Sequence, residues 1–205
     1  DLKIVELAQQ VFPAGVLSAV SGGDELGKWM TVHSDINKIA FTGSTETGRH
    51  VMRSAADPIK RVTPELGGND PAIVMPDADP KALAEHLFWG AFQNNAQFCN
   101  VIKRLYIHED IYEEVRDALA GFIATNIKVG DGTEADTDLG PIQNSMQYDK
   151  VKGYFADCHA NGYEFAIGGE IDESAPGWFV PVSLVDNPPD NSRIVVEEPF
   201  GPILP

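Results

Sequence analysis

Hydrophobic positions along the chain alternate between a helical period and short β-type runs. At the start, Ile4, Leu7, Ala8 and Val11 follow the i, i+3, i+4, i+7 spacing of an amphipathic helix. Similar spacing predicts further helices over about 49–56, from Asp79-Pro80 to Asn94-Asn95, after Asp110, and from about Tyr148 to Gly162. Short apolar runs predict strands at 16–20, 36–41, 61–63, 72–75, 101–107, 178–185 and 193–197.

Local signals support the starts of two of these helices. Asp79 is a candidate N-cap because Pro80 follows it at the first helical position. Asp110 and Glu113 have the spacing of a capping box at the start of the next helix. Helices that alternate with short strands are typical of an α/β fold, so we predict a mainly parallel sheet with crossover connections.

Charge and cysteine content narrow the classes of partner and compartment. The chain has 15 Lys plus Arg against 31 Asp plus Glu, a net charge of −16 that repels phosphate backbones and anionic membranes. We therefore expect neither nucleic acid nor a membrane as a partner. The two cysteines, Cys99 and Cys158, are too few for a disulfide framework, and no apolar run reaches the length of about 18 residues that a membrane helix needs. The expected location is the cytoplasm.

The two ends suggest a piece of a longer protein. The sequence lacks an initiator Met and opens directly in a helical pattern. It stops in the segment 200–205, where an apolar run begins.

The segment from Phe41 to Gly48, Phe-Thr-Gly-Ser-Thr-Glu-Thr-Gly, joins a predicted strand to a predicted helix. The N-terminus of a helix offers unpaired N–H groups and a positive dipole end, which together suit a pyrophosphate. The segment lacks the P-loop lysine and the three-glycine dinucleotide motif. Taken alone, the segment is therefore better explained as a plain strand-to-helix turn.

Two further segments contain groups suited to acid–base and nucleophilic chemistry. Glu65 precedes Gly67-Gly68, where a partly desolvated carboxylate can serve as a general base. Cys99 follows the end of a predicted helix, where backbone N–H groups can stabilise a thiolate nucleophile. The alternatives are a solvated glutamate and a small buried cysteine, and we accept the second alternative for Cys158. The five histidines show no metal-ligand spacing, so no metal site is predicted.

Four motifs in order make the sequence resemble the NAD(P)-dependent, non-phosphorylating aldehyde dehydrogenases. They are Phe-Thr-Gly-Ser-Thr-Glu-Thr-Gly, Glu-Leu-Gly-Gly, Phe-x-Asn-x-x-Gln-x-Cys and Glu198-Pro-Phe-Gly-Pro202. Each is ambiguous alone, but their order and approximate spacing match the family through essentially all 205 residues.

The resemblance implies a role for each matching residue. Cys99 is the implied nucleophile, whose backbone N–H forms half of an oxyanion hole, and Glu65 is the implied base that activates the hydrolytic water. The implied cofactor is NAD or NADP. Its implied binding residues are Gly43 and Ser44 at the pyrophosphate, Gly48 for close helix packing, Leu66 and Gly67 at the nicotinamide, Glu198 at the ribose and Phe200 against the ring.

Some positions depart from the family pattern. Pro64 replaces an aliphatic residue, Asn69 and Asp70 stand where the family often has Lys-Ser, and Ala96 stands where glycine is usual. If position 96 requires a positive φ angle, the added methyl group introduces strain close to Cys99. Gln93, Phe98 and Asn100 are the implied mouth of the substrate pocket.

The implied organisation is residues 1–66 as the last part of a Rossmann-like cofactor domain and 67–205 as most of an α/β catalytic domain. The implied activity is oxidation of an aldehyde to a carboxylic acid, in a full-length homodimer or homotetramer. Because family residues upstream of position 1 supply the second oxyanion donor and an adenine-ribose ligand, we expect the isolated chain to be inactive or nearly so. Two alternatives remain: a cysteine ester or thioester hydrolase that needs no cofactor, and a non-catalytic folding or interaction fragment.

Overall fold

The computed structural model describes residues 2–205 and divides into two compact units. The first unit ends at Leu66 and the second spans Gly67–Pro205. Within residues 2–205, no helix combines the length and the apolar character that crossing a membrane requires.

The first unit is built around a pair of parallel strands. Its helices are α1 (Leu2–Ala8), α2 (Asp24–Val32) and α3 (Thr45–Ala56), and its strands are β1 (Lys38–Gly43) and β2 (Arg61–Leu66). Strands β1 and β2 pair in parallel, with α3 as the crossover between them. Gly48, Val51 and Ala55 on α3 are buried. This strand–helix–strand order is the arrangement that the sequence predicts for this region.

Two predictions for the first unit were wrong. Residues 16–20 form no strand, because a strand needs a second strand to pair with and this largely exposed segment has none among residues 2–205. Helix α2 was missed, although Asp24 and Glu25 occupy its first turn and suit the helix dipole.

The second unit has five strands and four α-helices among the described residues. In order they are β3 (Pro71–Val74), α4 (Pro80–Phe92), β4 (Arg104–Ile107), α5 (Tyr112–Asn126), α6 (Ser145–Ala160), β5 (Phe165–Ile167), β6 (Ser183–Val185), α7 (Arg193–Val196) and β7 (Ile203–Leu204). Strand β3 pairs in parallel with β4, and β6 pairs in parallel with β7 and antiparallel with β5. The backbone N–H of Leu105 donates to the carbonyl of Pro205 at 2.9 Å, which joins β4 to the end of β7.

Helices cover the sheet of the second unit on both faces. Leu184 and Leu204 belong to a core cluster formed with α4 and α5, whereas Val185 and Ile203 belong to a cluster formed with α6 and α7. Because successive side chains of a strand point to opposite faces, this division places one helical layer on each side. The α/β class with mainly parallel strand pairing is therefore confirmed.

Three local predictions for the second unit were wrong. The predicted strand at 193–197 is instead helix α7 (Arg193–Val196) with Glu197 as its C-cap, and Arg193 pairs with Glu197 at 3.1 Å. The predicted strand at 178–185 shortens to Ser183–Val185, and β5 was missed. Asp110 does not cap α5, because a 3₁₀ turn at Glu109–Ile111 precedes that helix. Asp79 does cap α4, since its carboxylate accepts from the N–H groups of Lys81 and Ala82.

Replacing Phe88 tests how much the core cluster formed with α4 and α5 contributes to stability. Its side chain is fully buried and packs against the rings of Trp89, Phe92 and Phe122. We expect Phe88→Ala to lower the free energy of unfolding by about 3–5 kcal/mol, because it removes buried area and leaves a cavity. Urea denaturation measures the change. Met146→Ala, at a position 77% exposed, serves as the control and should change it by less than about 0.5 kcal/mol.

In the core cluster formed with α6 and α7, the hydrogen bond from Tyr154 to Glu197 makes the stability of the fold depend on pH. Burial opposes the charge of Glu197, but hydrogen bonds from Tyr154 and Arg193 outweigh burial and hold the pKa of Glu197 below its usual value. A lowered pKa in the folded state stabilises the fold above the unfolded pKa of 4.5, and this stabilisation is lost as the pH falls below that value. We expect Tyr154→Phe to cost about 1 kcal/mol at neutral pH, with a smaller difference from wild type in acid. Urea denaturation from neutral pH to below pH 4.5 measures the free energy of unfolding of both proteins. A difference between them that did not change with pH would contradict this prediction.

Candidate active site

Helix α4 ends in an unusual turn that leads to Cys99. Asn94, Asn95 and Ala96 all have left-handed backbones, with φ angles of 53°, 58° and 56°. Asparagine tolerates this conformation, whereas alanine is strained there at a cost of about 1–2 kcal/mol. The positive φ angle on which the expected strain at Ala96 depended is therefore present.

Polar contacts anchor this turn before Cys99. Asn95 is almost fully buried, and its side-chain amide donates to the carbonyl of Gly140. The Gln97 side chain donates to the carbonyl of Asn94 at 3.1 Å and accepts from the N–H of Gln143 at 3.0 Å. The loop therefore enters the Cys99 position on a path fixed by a neighbouring segment of the same unit.

The two cysteines lie in opposite environments. Cys99 is exposed in the loop after α4, and Gln93, Phe98 and Asn100 near it are exposed as well. Cys158 is buried on α6, where burial, with a smaller effect of Asp157, raises the pKa of its thiol to about 11. Only Cys99 presents a thiol that a dissolved molecule can approach.

A buried lysine lies directly after the Cys99 loop. Lys103 Nζ donates to the carbonyl oxygen of Cys99 at 2.7 Å and to that of Val101 at 3.4 Å. The same ammonium lies 3.2 Å from Glu198 Oε1 and 3.9 Å from Asp70 Oδ2. Sequence reasoning missed Lys103, although a lysine at the start of an apolar strand is a signal that could have been noticed.

Glu198 lies against the glycine pair at the start of the second unit. The N–H of Gly68 donates to Glu198 Oε1 at 3.3 Å. A Cβ atom at Gly67 would collide with Glu198 Oε2, so only glycine fits while the carboxylate keeps this position. The structure therefore brings Gly67, Glu198 and the Cys99 loop together around Lys103.

Helix α6 holds the segment that follows Glu198. Gln147 donates to the carbonyls of Pro199 and Phe200, and Lys150 donates to the carbonyl of Glu198. Phe200 itself has a positive φ angle of 56°. Burial lowers the pKa of Lys150 against the opposing effects of Glu198 and Glu197. The segment that contains Glu198 and Phe200 is thus hydrogen-bonded to α6.

The remaining candidate residues lie in the first unit. Ser44 is the N-cap of α3, and its hydroxyl accepts from the N–H of Thr47 at 3.2 Å. A Cβ atom at Gly48 would lie 2.6 Å from Leu66 Cδ2, so a larger residue there would require the Leu66 side chain to shift. Gly43 pairs with Leu66 in the strand register, and the exposed Glu65 pairs with Thr42.

The structure leaves some of the sequence predictions open. Cys99 and Glu65 belong to different units, so their convergence stays a prediction. Asn69 donates from its side chain to the carbonyl of Val195 at 2.8 Å, and Asp70 faces Lys103. Both departures from the family pattern therefore have partners in the fold. Among residues 2–205, His, Cys, Asp and Glu side chains form no group of three or more suited to a metal ion.

Comparison with known proteins identifies the family. The sequence profile described as "Aldehyde dehydrogenase family" matches residues 1–205. A probable aldehyde dehydrogenase from a Pseudomonas species is 47% identical over 204 residues, covering 100% of this chain and 41% of that protein. The putative aldehyde dehydrogenase DhaS of Bacillus subtilis is 40% identical, with coverage of 99% and 41%.

Solved structures agree with the sequence comparison. A mutant of aldehyde dehydrogenase C from Pseudomonas syringae, in complex with NAD+ and octanal, superposes with a TM-score of 0.91 at 32% identity, covering 99% of this chain and 43% of that one. Betaine aldehyde dehydrogenase from Staphylococcus aureus, in complex with NAD+, gives a TM-score of 0.92 at 30% identity, with coverage of 98% and 41%. This chain thus spans about two fifths of the length of its relatives. With the profile matched from end to end and both sequence and structural neighbours in agreement, the chain belongs to the aldehyde dehydrogenase family.

Proposed function

We propose that the protein containing this chain oxidises an aldehyde to a carboxylic acid with NAD+ or NADP+, and that this chain supplies the nucleophile and the hydrolytic base. The observation that carries the proposal is the exposed Cys99 on an anchored loop. The ammonium of Lys103 contacts both the backbone carbonyl of Cys99 and the carboxylate of Glu198, and so connects the two. The Pseudomonas syringae relative, captured with NAD+ and octanal, supports both the cofactor class and the substrate class.

Cys99 would perform the first chemical step. Its thiolate sulfur bonds to the carbonyl carbon of the aldehyde, and the carbonyl oxygen becomes an oxyanion that the backbone N–H of Cys99 can stabilise. Loss of a hydride from the same carbon then leaves a thioester on Cys99. The loop contacts of Asn95 and Gln97 matter here because attack requires the sulfur to be held near the carbonyl carbon.

Glu65 would perform the second step. Its carboxylate is exposed at the end of β2, where water can reach it. By removing a proton from that water, Glu65 would allow the oxygen to attack the thioester carbon. The carbon–sulfur bond then breaks, which releases the carboxylic acid and restores Cys99. The approach of Glu65 to Cys99 is part of the proposal.

The residues present fit a nicotinamide dinucleotide, which when bound supplies the hydride acceptor. In the first unit, the start of α3 at Ser44 offers N–H groups to a pyrophosphate. Gly43 directly precedes this start, and Gly48 on the same helix packs against Leu66. In the second unit, the missing side chain of Gly67 leaves space that Glu198 uses. We assign the ribose to Glu198, and the nicotinamide to Leu66, Gly67 and Phe200.

We assign the domain roles accordingly, with residues 1–66 as part of the cofactor domain and 67–205 as most of the catalytic domain. Because the chain spans about two fifths of its relatives, activity, cytoplasmic location and assembly as a homodimer or homotetramer are proposals for the longer protein. The isolated chain should show little or no turnover, since loss of one oxyanion donor costs about 100-fold to 1,000-fold in rate.

Two substitutions in the natural full-length protein test the chemistry. Cys99→Ser should abolish both aldehyde-dependent formation of reduced dinucleotide and acid production. Glu65→Gln should keep a single burst of reduced dinucleotide but lower steady turnover by about 100-fold to 10,000-fold, because thioester formation does not need the base. Rapid-mixing absorbance spectroscopy separates burst from steady state. Hydrolysis of an ester or thioester at the same rate with and without dinucleotide, with no aldehyde-dependent reduction of the dinucleotide, would instead indicate a cysteine ester or thioester hydrolase.

Selective alkylation tests whether the chain itself retains the nucleophile site. We expect iodoacetamide at neutral pH to modify Cys99 in the folded chain and to modify Cys158 only after unfolding in urea, because the Cys158 thiol is buried and its pKa is about 11. Peptide mass spectrometry follows each site, with Cys99→Ser as the control. Equal modification rates in the folded chain would favour the non-catalytic fragment.

A further inference from the structure

Lys103 is a charged residue that is buried in the second unit. Its side chain is only 2% exposed, and it lies between the Cys99 loop and strand β4. Lysine is almost never this buried unless its ammonium is paired, because taking a charge out of water is costly. The identity of its partners therefore indicates what the buried charge holds in place.

The partners of Lys103 belong to two separate parts of the candidate site. Two are backbone carbonyls of the nucleophile loop, at Cys99 and Val101. The others are the carboxylates of Glu198, 95 residues after Lys103 in the sequence, and of Asp70. An ammonium has three donors and no acceptor, so it can satisfy loop carbonyls and a carboxylate together. Lys103 is thus a direct link between the loop that carries the thiol and the segment that carries Glu198.

The same link fixes the orientation of the Glu198 carboxylate. Oε1 receives both the Lys103 ammonium at 3.2 Å and the N–H of Gly68 at 3.3 Å. Oε2 lies over Gly67, where no side chain intervenes. Without Lys103, only the Gly68 N–H would remain on Oε1 among these contacts. The carboxylate could then rotate away from Gly67.

We propose that Lys103 is a positioning residue that sets the Glu198 carboxylate for the cofactor ribose while holding the backbone of Cys99. The inference rests on the proposed function, in which Glu198 binds that ribose. One ammonium then fixes two distances that hydride transfer depends on, because it holds both the loop of the attacking sulfur and the group that places the cofactor. Lys103 touches neither the aldehyde nor the sulfur in this account and acts through its neighbours.

A purely structural role for Lys103 makes a different prediction. If the ammonium only stabilised the loop, its removal would lower the melting temperature. The effect of its removal on dinucleotide binding would then be the same with and without the Glu198 carboxylate. If it positions Glu198, its removal must weaken dinucleotide binding through that carboxylate. A double-variant cycle distinguishes the two because contacts in one network are not additive.

The experiment uses the natural full-length protein and titration calorimetry with NAD+ and, in parallel, NADP+. Lys103→Met keeps the chain length and apolar stem but removes the charge, and we expect it to raise the dissociation constant of the preferred dinucleotide about tenfold or more. In the Glu198→Gln background, Lys103→Met should add less than about a twofold further loss. Lys152→Met is the matched control, because Lys152 pairs with Glu173 at the surface, and its dissociation constant should equal that of wild type.

The outcomes separate this inference from the proposed function. Wild-type affinity in Lys103→Met, or a full tenfold loss repeated in the Glu198→Gln background, would overturn the positioning role while leaving the dehydrogenase assignment intact. Unchanged affinity in Glu198→Gln alone would overturn the ribose assignment, and the role of Lys103 with it. If Lys103→Met does not fold, Lys103→Gln, which keeps an N–H donor without the charge, is measured in the same cycle and judged by the same criteria.

Discussion

The charge on Lys103 is the constraint on which the candidate site of the second unit depends. An ammonium that is nearly sealed from water must be surrounded by oxygen atoms, and here those atoms come from Cys99, Val101, Glu198 and Asp70. If any of these segments were in a different position, the ammonium or a carbonyl group would be buried without a hydrogen-bond partner. The cost of that alternative favours one arrangement of the loop, the glycine pair and the segment at Glu198.

The turn after α4 is a second constraint, and it acts on the backbone. Three consecutive left-handed residues redirect the chain, and the buried Asn95 amide fixes the redirected path to Gly140. Strain of this kind persists only where surrounding contacts determine the conformation, and it is frequent at functional sites. The strain at Ala96 is therefore compatible with an ordered Cys99 loop, because contacts on both sides of Cys99 hold it.

The sequence predicted some parts of the fold well and others poorly, for identifiable reasons. Asp79-Pro80 correctly located the start of α4 because the cap is formed by atoms within a few residues. The segment 193–197 was misjudged because its β-branched residues favour a strand, whereas the Arg193–Glu197 pair and the packing of Ile194 favour a helix. The segment 16–20 was misjudged because pairing with a distant strand, not local preference, decides whether a strand forms.

By itself, the sequence determined the α/β class, the order of the four motifs and the two groups that we assign to nucleophile and base. These features depend on residue type and spacing, which are local and can be read along the chain. Only the tertiary structure decided that Cys99 is accessible while Cys158 is sealed, and that Lys103 joins the Cys99 loop to Glu198. Burial and long-range hydrogen bonds decide these properties, and they exist only after segments far apart in the sequence have packed together.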